Sequence, residues 1–266
     1  MSVRSISSRE NPQYKQLKQL AGSAQARRKA AQTVLDGVHL CEAWLQNKGT
    51  PALCVVSDSA QSNPEVATIV AECERRQGDC IVLPDALFAP LSQVAHGVDL
   101  LFIVDTPQTA DIGIDGPSVL LDGLQDPGNL GSILRTAAAA GIRRVFCSAG
   151  TVAAWSPKVL RAGMGAHFVL EIVEEADLPS LIAAARVPVY ATSSYAAQPL
   201  YDCDLRQPSA WLFGHEGKGV SDALLQQADQ RIAIPQDPRI ESLNVAASAA
   251  ICLFEQLRQQ LGATKR

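Results

Sequence analysis

Residues 234–255 read Ile234-Pro-Gln-Asp-Pro-Arg-Ile-Glu-Ser-Leu-Asn-Val-Ala-Ala-Ser-Ala-Ala-Ile-Cys-Leu-Phe-Glu255. They join a short apolar strand end (Arg231–Ile234) to a long alanine-rich helix through a polar loop. The helix opens at Ser242-Leu243-Asn244, with Ser242 as the candidate N-cap. Ala246, Ala247, Ala249, Ala250, Leu253 and Leu257 give it a small, smooth face that other backbone can approach closely. The loop gathers Asp237, Arg239, Glu241, Ser242 and Asn244 within eight residues. Polar groups held between a strand end and a helix N-terminus are what a ligand site in an α/β fold looks like. A plain capped helix accounts for the same residues, so the rest of the chain must decide.

Upstream of this segment, strands and helices alternate. Ser118–Leu121, Arg144–Cys147, Phe168–Val173, Val187–Ala191, Ala210–Phe213 and Arg231–Ile234 read as strands. Helices are expected over Asn129–Ala140, Pro157–Met164, Leu178–Ala185, Ser221–Gln227 and Leu243–Leu261. Such βα repetition implies a parallel sheet covered on both faces. In the first half, Pro12–Leu20, Arg27–Ala31, Gly37–Leu45 and Val66–Arg76 have helical spacing, and Leu53–Val56, Ile81–Leu83 and Leu100–Val104 read as strands. Residues 106–117 (TPQTADIGIDGP) carry two prolines, two glycines and no sustained apolar period. The expected organisation is a smaller α/β domain over 1–105, a linker over 106–117 and a larger α/β domain over 118–266.

The 266 residues, 47% hydrophobic and 19% charged, are an ordinary globular composition with no apolar run long enough to span a membrane and no apolar signal core. That excludes a membrane partner and points to the cytoplasm. Seven cysteines are scattered without a Cys-x-x-Cys pair, and the four histidines (His39, His96, His167, His215) have no metal spacing. Reduced core cysteines and no metal are the reading. The net charge of −4 is uneven: residues 1–30 hold seven Lys or Arg against one acid, so the remainder sums to −10. From Pro127 to Leu170 there are five Lys or Arg and no Asp or Glu. Two basic, acid-poor zones on an acidic chain call for a polyanionic partner.

Three loops fall at the carboxyl ends of expected strands. Asp122–Gly131 leads into a helix carrying Arg135; Gly128 and Gly131 permit close backbone approach, and Asn129 caps the helix or meets a ligand. Arg135 can point at a phosphate or a developing oxyanion. Phe213-Gly-His-Glu-Gly-Lys-Gly-Val-Ser221 places three glycines around one carboxylate, without the phosphate-loop spacing. The third loop is the segment quoted first. No nucleophile elbow or Ser/His/Asp arrangement is present.

Together these loops resemble the three motifs of the SpoU (TrmH-type) RNA 2′-O-ribose methyltransferases of the SPOUT superfamily. Asp126-Pro-Gly-Asn-Leu-Gly-Ser-Ile-Leu-Arg-Thr-Ala-Ala-Ala-Ala-Gly141 is similar to the first, Leu212–Ser221 to the second, and Ile234-Pro235 with Glu241-Ser-Leu-Asn-Val-Ala-Ala247 to the third. Ser156–Phe168 is similar to the helix between motifs one and two. Ser7-Ser-Arg-Glu-Asn-Pro12 and Leu35-Asp-Gly-Val-His-Leu40 more loosely resemble the substrate-binding domain often fused to this family, with Asp36 where Glu is more usual.

The resemblance implies a trefoil-knotted parallel-sheet domain, a homodimer packed through the knot helices, and S-adenosyl-L-methionine as methyl donor. By the same resemblance the donor lies on Gly214, Ile234 and Leu243, with Thr192 and Asn244 beside it. The implied reaction is in-line attack of a ribose 2′ oxygen on the methyl carbon, so the site must favour loss of the hydroxyl proton and align three atoms. Arg135 matches the motif-one arginine; since arginine hardly deprotonates, a cationic role at the alkoxide and adjacent phosphate follows. Asn129, Glu216, Ser242 and Asn244 would fix the arginine, the ribose and the loops. The basic zones then acquire structured RNA as their partner, through Arg9, Lys15, Arg27, Arg28, Lys158 and Arg161. Ribosomal RNA is favoured; transfer RNA, a catalytically silent RNA-binding relative and a base-directed methyltransferase are the alternatives. His215 stands where Asn is commoner, and Gln236-Asp-Pro238 replaces a stretch that usually holds glycine.

Overall fold

The computed structural model describes residues 4–94, 97–108 and 112–263. His96 and the middle of the expected linker, 109–111, lie outside them. The chain forms two compact units, Met1–Gln108 with Trp155–Phe168, and Thr109–Ala154 with Val169–Arg266.

The first unit is built from β1 (Arg4–Ser5), α1 (Pro12–Gly22), α2 (Ala24–Ala30), β2 (Gln32–Asp36), α3 (Val38–Asn47), β3 (Leu53–Ser57), α4 (Pro64–Arg75), β4 (Cys80–Leu83), α5 (Asp85–Phe88) and β5 (Leu100–Asp105). Its sheet has the order β1-β4-β3-β5-β2, parallel from β1 to β3 and antiparallel where β5 meets β3 and β2. Tyr14, Leu17 and Leu20 of α1 pack with Val55, Ile81, Leu101 and Ile103 in one apolar cluster. β2 escapes an apolar-run reading because its polar residues are buried with partners. Thr33 donates to the Trp155 carbonyl at 2.7 Å, and Asp36 accepts from Ser92 Oγ and the Gln93 N–H.

The stretch from Trp155 belongs to this unit through α7 (Pro157–Gly163), which packs against β2. A strand over Phe168–Val173 is corrected by the structure: Ala166–Phe168 is a 3-10 turn, and the strand runs Glu171–Ala176. Phe168 is buried edge-on against Trp44, with ring centroids 5.3 Å apart, so its apolarity serves a turn.

The second unit contains β6 (Ser118–Asp122), α6 (Pro127–Ala139), β7 (Arg144–Ser148), β8 (Glu171–Ala176), α8 (Leu178–Ala183), β9 (Val189–Thr192), β10 (Gln198–Pro199), β11 (Ala210–Gly214), α9 (Asp222–Gln227), β12 (Gln230–Ala233) and α10 (Val245–Ala263). All seven strands are parallel, in the order β10-β12-β9-β11-β6-β7-β8. Leu120, Phe146, Ala191 and Leu212 meet Leu178, Ile182 and Leu224 on one face. Ile114, at the end of the expected linker, is buried in that cluster. With a period of two, Trp211 and Phe213 point to the other face, where α6 and α10 pack together. There the buried Gln256 of α10 accepts from Trp211 Nε1 at 2.7 Å and donates to Ser209 Oγ and the Gln207 carbonyl. α10 is thereby pinned to β11 by a fully used amide.

The helix starts share a local rule. Asn11-Pro12, Asn63-Pro64 and Asp126-Pro127 place a side-chain acceptor on the free N–H groups of the first turn and a proline where no N–H is needed. At α6 this moves the start from the expected Asn129 to Pro127, with Asp126 Oδ1 accepting from the Asn129 N–H at 2.8 Å.

Candidate functional site

The strand order of the second unit reverses between β6 and the β9–β11 pair, and in open parallel sheets ligands sit at the carboxyl ends of strands beside such a switch. A cleft of about 360 Å³ lies there. Its walls come from Thr192–Tyr195 after β9, from Gly214–Val220 after β11, and from Ile234, Gln236 and Glu241–Leu243 after β12. Thr192, Gly214, Ile234 and Leu243, four of the five expected donor-binding positions, line it, as do Glu216 and Ser242. Asn129, Arg135 and Asn244 are not among its walls.

The loop after β11 explains its glycines. His215 and Gly219 exchange both backbone hydrogen bonds, at 3.0 and 2.8 Å, so residues 216–218 form a closed turn, with Gly219 at φ +70°. A Cβ on Gly214 would sit 2.0 Å from Gly219 C and Val220 N, both backbone atoms. Only glycine lets the strand end and the returning loop lie so close, and the result is a wall of backbone groups. His215 Nδ1 accepts from the Gly217 N–H at 2.9 Å, a bond that fixes the tip of the turn.

A chain of hydrogen bonds ties this loop to the other two motifs. The Glu216 carboxylate accepts from the backbone N–H groups of Gln125 and Asp126 at 3.1 and 3.0 Å, and from Asn129 Nδ2 at 3.2 Å. Burial raises its pKa, but the N–H of Asp126, its own N–H, that of Gln125 and the Asn129 amide together outweigh burial and hold it below the usual glutamate range. Asn129 Oδ1 accepts from Asn244 Nδ2 at 3.0 Å, and Asn244 Oδ1 accepts from the N–H groups of Ala246 and Ala247. Asn244, and not Ser242, therefore caps α10. Asp122 Oδ2 adds a further tie to the Ser221 N–H at 2.9 Å.

The expected catalytic residues thus divide into two groups. Glu216, Asn129 and Asn244 are one network that holds three loops in register. Arg135 is exposed on α6, and its side chain makes no hydrogen bond or ion pair among the described residues. Ser242 is exposed at the cleft wall. In the third loop, Asp237–Ile240 is a turn closed by the Ile240 N–H to the Asp237 carbonyl, with Pro238 at its second position, where its fixed φ suits the turn. Gln236 Nε2 braces that turn through the Ile240 and Glu241 carbonyls. Pro238 shapes the corner of the loop without entering the cleft wall.

The expected RNA-contacting cations also separate. Arg9, Arg28 and Lys158 are exposed; Lys15 pairs with Glu10 at 2.5 Å. Arg27 donates to the Leu20 carbonyl at 2.7 Å, closing the C-terminus of α1, and burial lowers its pKa. Arg161 is half-buried and reaches Gln93 Oε1 at 3.4 Å. Arg9, Lys15 and Lys18 line a second cavity of about 380 Å³ beside Tyr14 and Pro90 in the first unit. Ser193-Ser194-Tyr195 forms part of the cleft wall yet was missed in the sequence. The signal available was its position directly after an apolar strand.

A cleft at the carboxyl ends of a parallel sheet, lined by Gly214, Ile234 and Leu243, is where α/β enzymes hold small organic ligands. The profile of the SpoU rRNA Methylase family matches residues 116–254, which include all three cleft loops. An uncharacterized tRNA/rRNA methyltransferase of Synechocystis is 35% identical over 98% of this chain and 96% of its own. The 23S rRNA (guanosine(2553)-2′-O)-methyltransferase RlmP of Bacillus subtilis is 30% identical over 95% and 98%. Among solved structures, an AdoMet-bound rRNA methyltransferase from Sinorhizobium meliloti superposes with a TM-score of 0.85 at 27% identity, covering 96% of this chain and 98% of that one. The chain belongs to the SpoU rRNA methylase family, and it is a methyltransferase.

Proposed function

We propose that this enzyme transfers the methyl group of S-adenosylmethionine to a ribose 2′-hydroxyl of ribosomal RNA. The observation that carries the reading is the glycine-built backbone wall at Gly214, facing Thr192, Ile234 and Leu243 across one cleft. Its residues fit the donor: main-chain N–H and C=O groups suit the edges of an adenine, and the apolar Ile234 and Leu243 suit its faces. Bound there, S-adenosylmethionine supplies an electrophilic methyl group on a positively charged sulfur. Glu216, Asn129 and Asn244 hold the three loops at fixed spacing, so little reorganisation is needed when substrate arrives. Arg135, exposed and uncommitted, is free to stabilise the 2′ alkoxide and the adjacent phosphate as the hydroxyl proton leaves to solvent.

Ribosomal RNA is favoured over transfer RNA by the full-length likeness to the 23S rRNA enzyme of Bacillus subtilis. In this reading the first unit, on which Arg9, Arg28 and Lys158 are exposed, binds RNA through its phosphates. The Tyr195 ring, 93% exposed at the rim of the cleft, offers a stacking face for a base turned out of the RNA. The working form is a cytoplasmic homodimer with a knotted second unit. Phe254 and Leu261 of α10, 46% and 58% exposed and seven residues apart, supply an apolar stripe for the partner. Among the described residues no helix is long and apolar enough to cross a membrane. The test is transfer of labelled methyl from S-adenosylmethionine to unmodified 23S and 16S rRNA and to bulk tRNA, with the site mapped as a 2′-O-methyl ribose. Label on tRNA alone, or on a base nitrogen, would overturn the reading.

A further inference from the structure

Outside the cleft, the fold gathers three of the seven cysteines that the sequence scatters. Cys54 on β3 and Cys80 on β4 are register partners on adjacent parallel strands, so their side chains leave the same face of the sheet. Cys73, in the last turn of α4, comes down on that face. The three sulfur atoms lie within 4.8 Å of one another, and all three residues are buried. Metal–thiolate bonds of roughly 2.3 Å place sulfur atoms roughly 3.8–4.0 Å apart around a shared ion, so only a small contraction is required.

The composition of the group selects the ion. Among the described residues no carboxylate or imidazole belongs to it, so hard cations such as magnesium and calcium find no such ligands there. Thiolates favour soft closed-shell ions, and structural zinc takes four ligands where this group offers three. We propose that Cys54, Cys73 and Cys80 form a three-thiolate site for one soft cation, monovalent copper ahead of zinc. Binding replaces S–H bonds with sulfur–metal bonds: each ligating thiol gives its proton to solvent and keeps the electron pair that it donates to the ion. The occupied site ties the C-terminal turn of α4 to the first residue of β4 across the Gly78 turn, which is already closed by the Gly78 N–H to the Cys73 carbonyl at 2.8 Å.

The test is anaerobic titration of the full, reduced chain with copper(I) buffered by a chromophoric copper(I) chelator, with a parallel zinc titration. The wild type is expected to withdraw one equivalent of copper per chain from the chelator and to melt at a higher temperature when loaded. Cys73→Ser and Cys80→Ala lose both responses, whereas Cys203→Ser, in the other unit, keeps them. Folding of each variant is checked by circular dichroism; if Cys73→Ser fails to fold, Cys80→Ala at the start of β4 decides. Absence of a one-equivalent endpoint in the wild type, or an unchanged endpoint in both cluster variants, overturns the site. One equivalent of zinc without copper binding overturns the copper assignment.

Discussion

Arg135 and Gly214 differ sharply in what the fold asks of them. Arg135 touches nothing that folding needs, so its replacement is a clean probe of chemistry. Arg135→Ala is expected to change stability by less than about 0.5 kcal/mol and to lower methyl transfer at least ~100-fold. Calorimetric binding of S-adenosylmethionine should stay within a few-fold, and near-normal turnover would remove Arg135 from the mechanism. Gly214 is the opposite case, because an added methyl group collides with backbone that has no room to yield. Gly214→Ala should cost about 2–4 kcal/mol in urea unfolding and abolish binding of the donor. Tyr195 lies between these extremes. Its exposed ring makes Tyr195→Ala neutral for folding, and stacking loss predicts a KM for RNA raised by roughly 5- to 100-fold with donor affinity unchanged. Equal KM values for the two proteins would exclude the stacking role.

At the scale of elements, the site is a set of loops held at fixed spacing by one carboxylate. The folded-state pKa of Glu216 is depressed, so its contribution is complete above the ordinary glutamate range and is lost as pH falls through the lower folded value. Glu216→Gln keeps the shape but turns an amide N–H toward donors. It should cost about 1–2 kcal/mol at neutral pH. The gap in melting temperature between the two proteins is expected to be constant from pH 8 to pH 5 and to narrow below about pH 4. A gap independent of pH down to acid unfolding would show that Glu216 carries no charge-dependent load. These elements were read from the sequence unevenly. The parallel βα order, the start of α1 at Asn11-Pro12, and the three glycine- and amide-rich loops were legible because each rests on local rules, whereas α4 and α6 begin two residues before their expected starts at Val66 and Asn129. β2 was not, since its polar residues find partners only after folding. Nor was the cap of α10, where Ser242 and Asn244 are equally good local candidates and the bond to Asn129 decides between them.

Over the whole molecule, the exposed Phe254 and Leu261 frame the proposal of a dimer. Phe254→Lys is expected to shift the sedimenting species from dimer to monomer and to lower methyl transfer in proportion; a monomeric wild type would refute it. The sequence by itself determined the family, the parallel α/β order and two of the three loops that line the cleft, because tight backbone turns leave glycine, proline and amide signatures in consecutive residues. It also determined the basic character of residues 1–30 and 127–170. Tertiary structure alone decided which residues share a surface. It placed Lys158 and Arg161 in the unit formed by the first 108 residues. It turned Asn129 and Asn244, 115 residues apart, into neighbours. It also drew Cys54, Cys73 and Cys80 to a single point. Such contacts arise from strand register and helix packing over long sequence separations, and residue spacing along the chain carries no record of them.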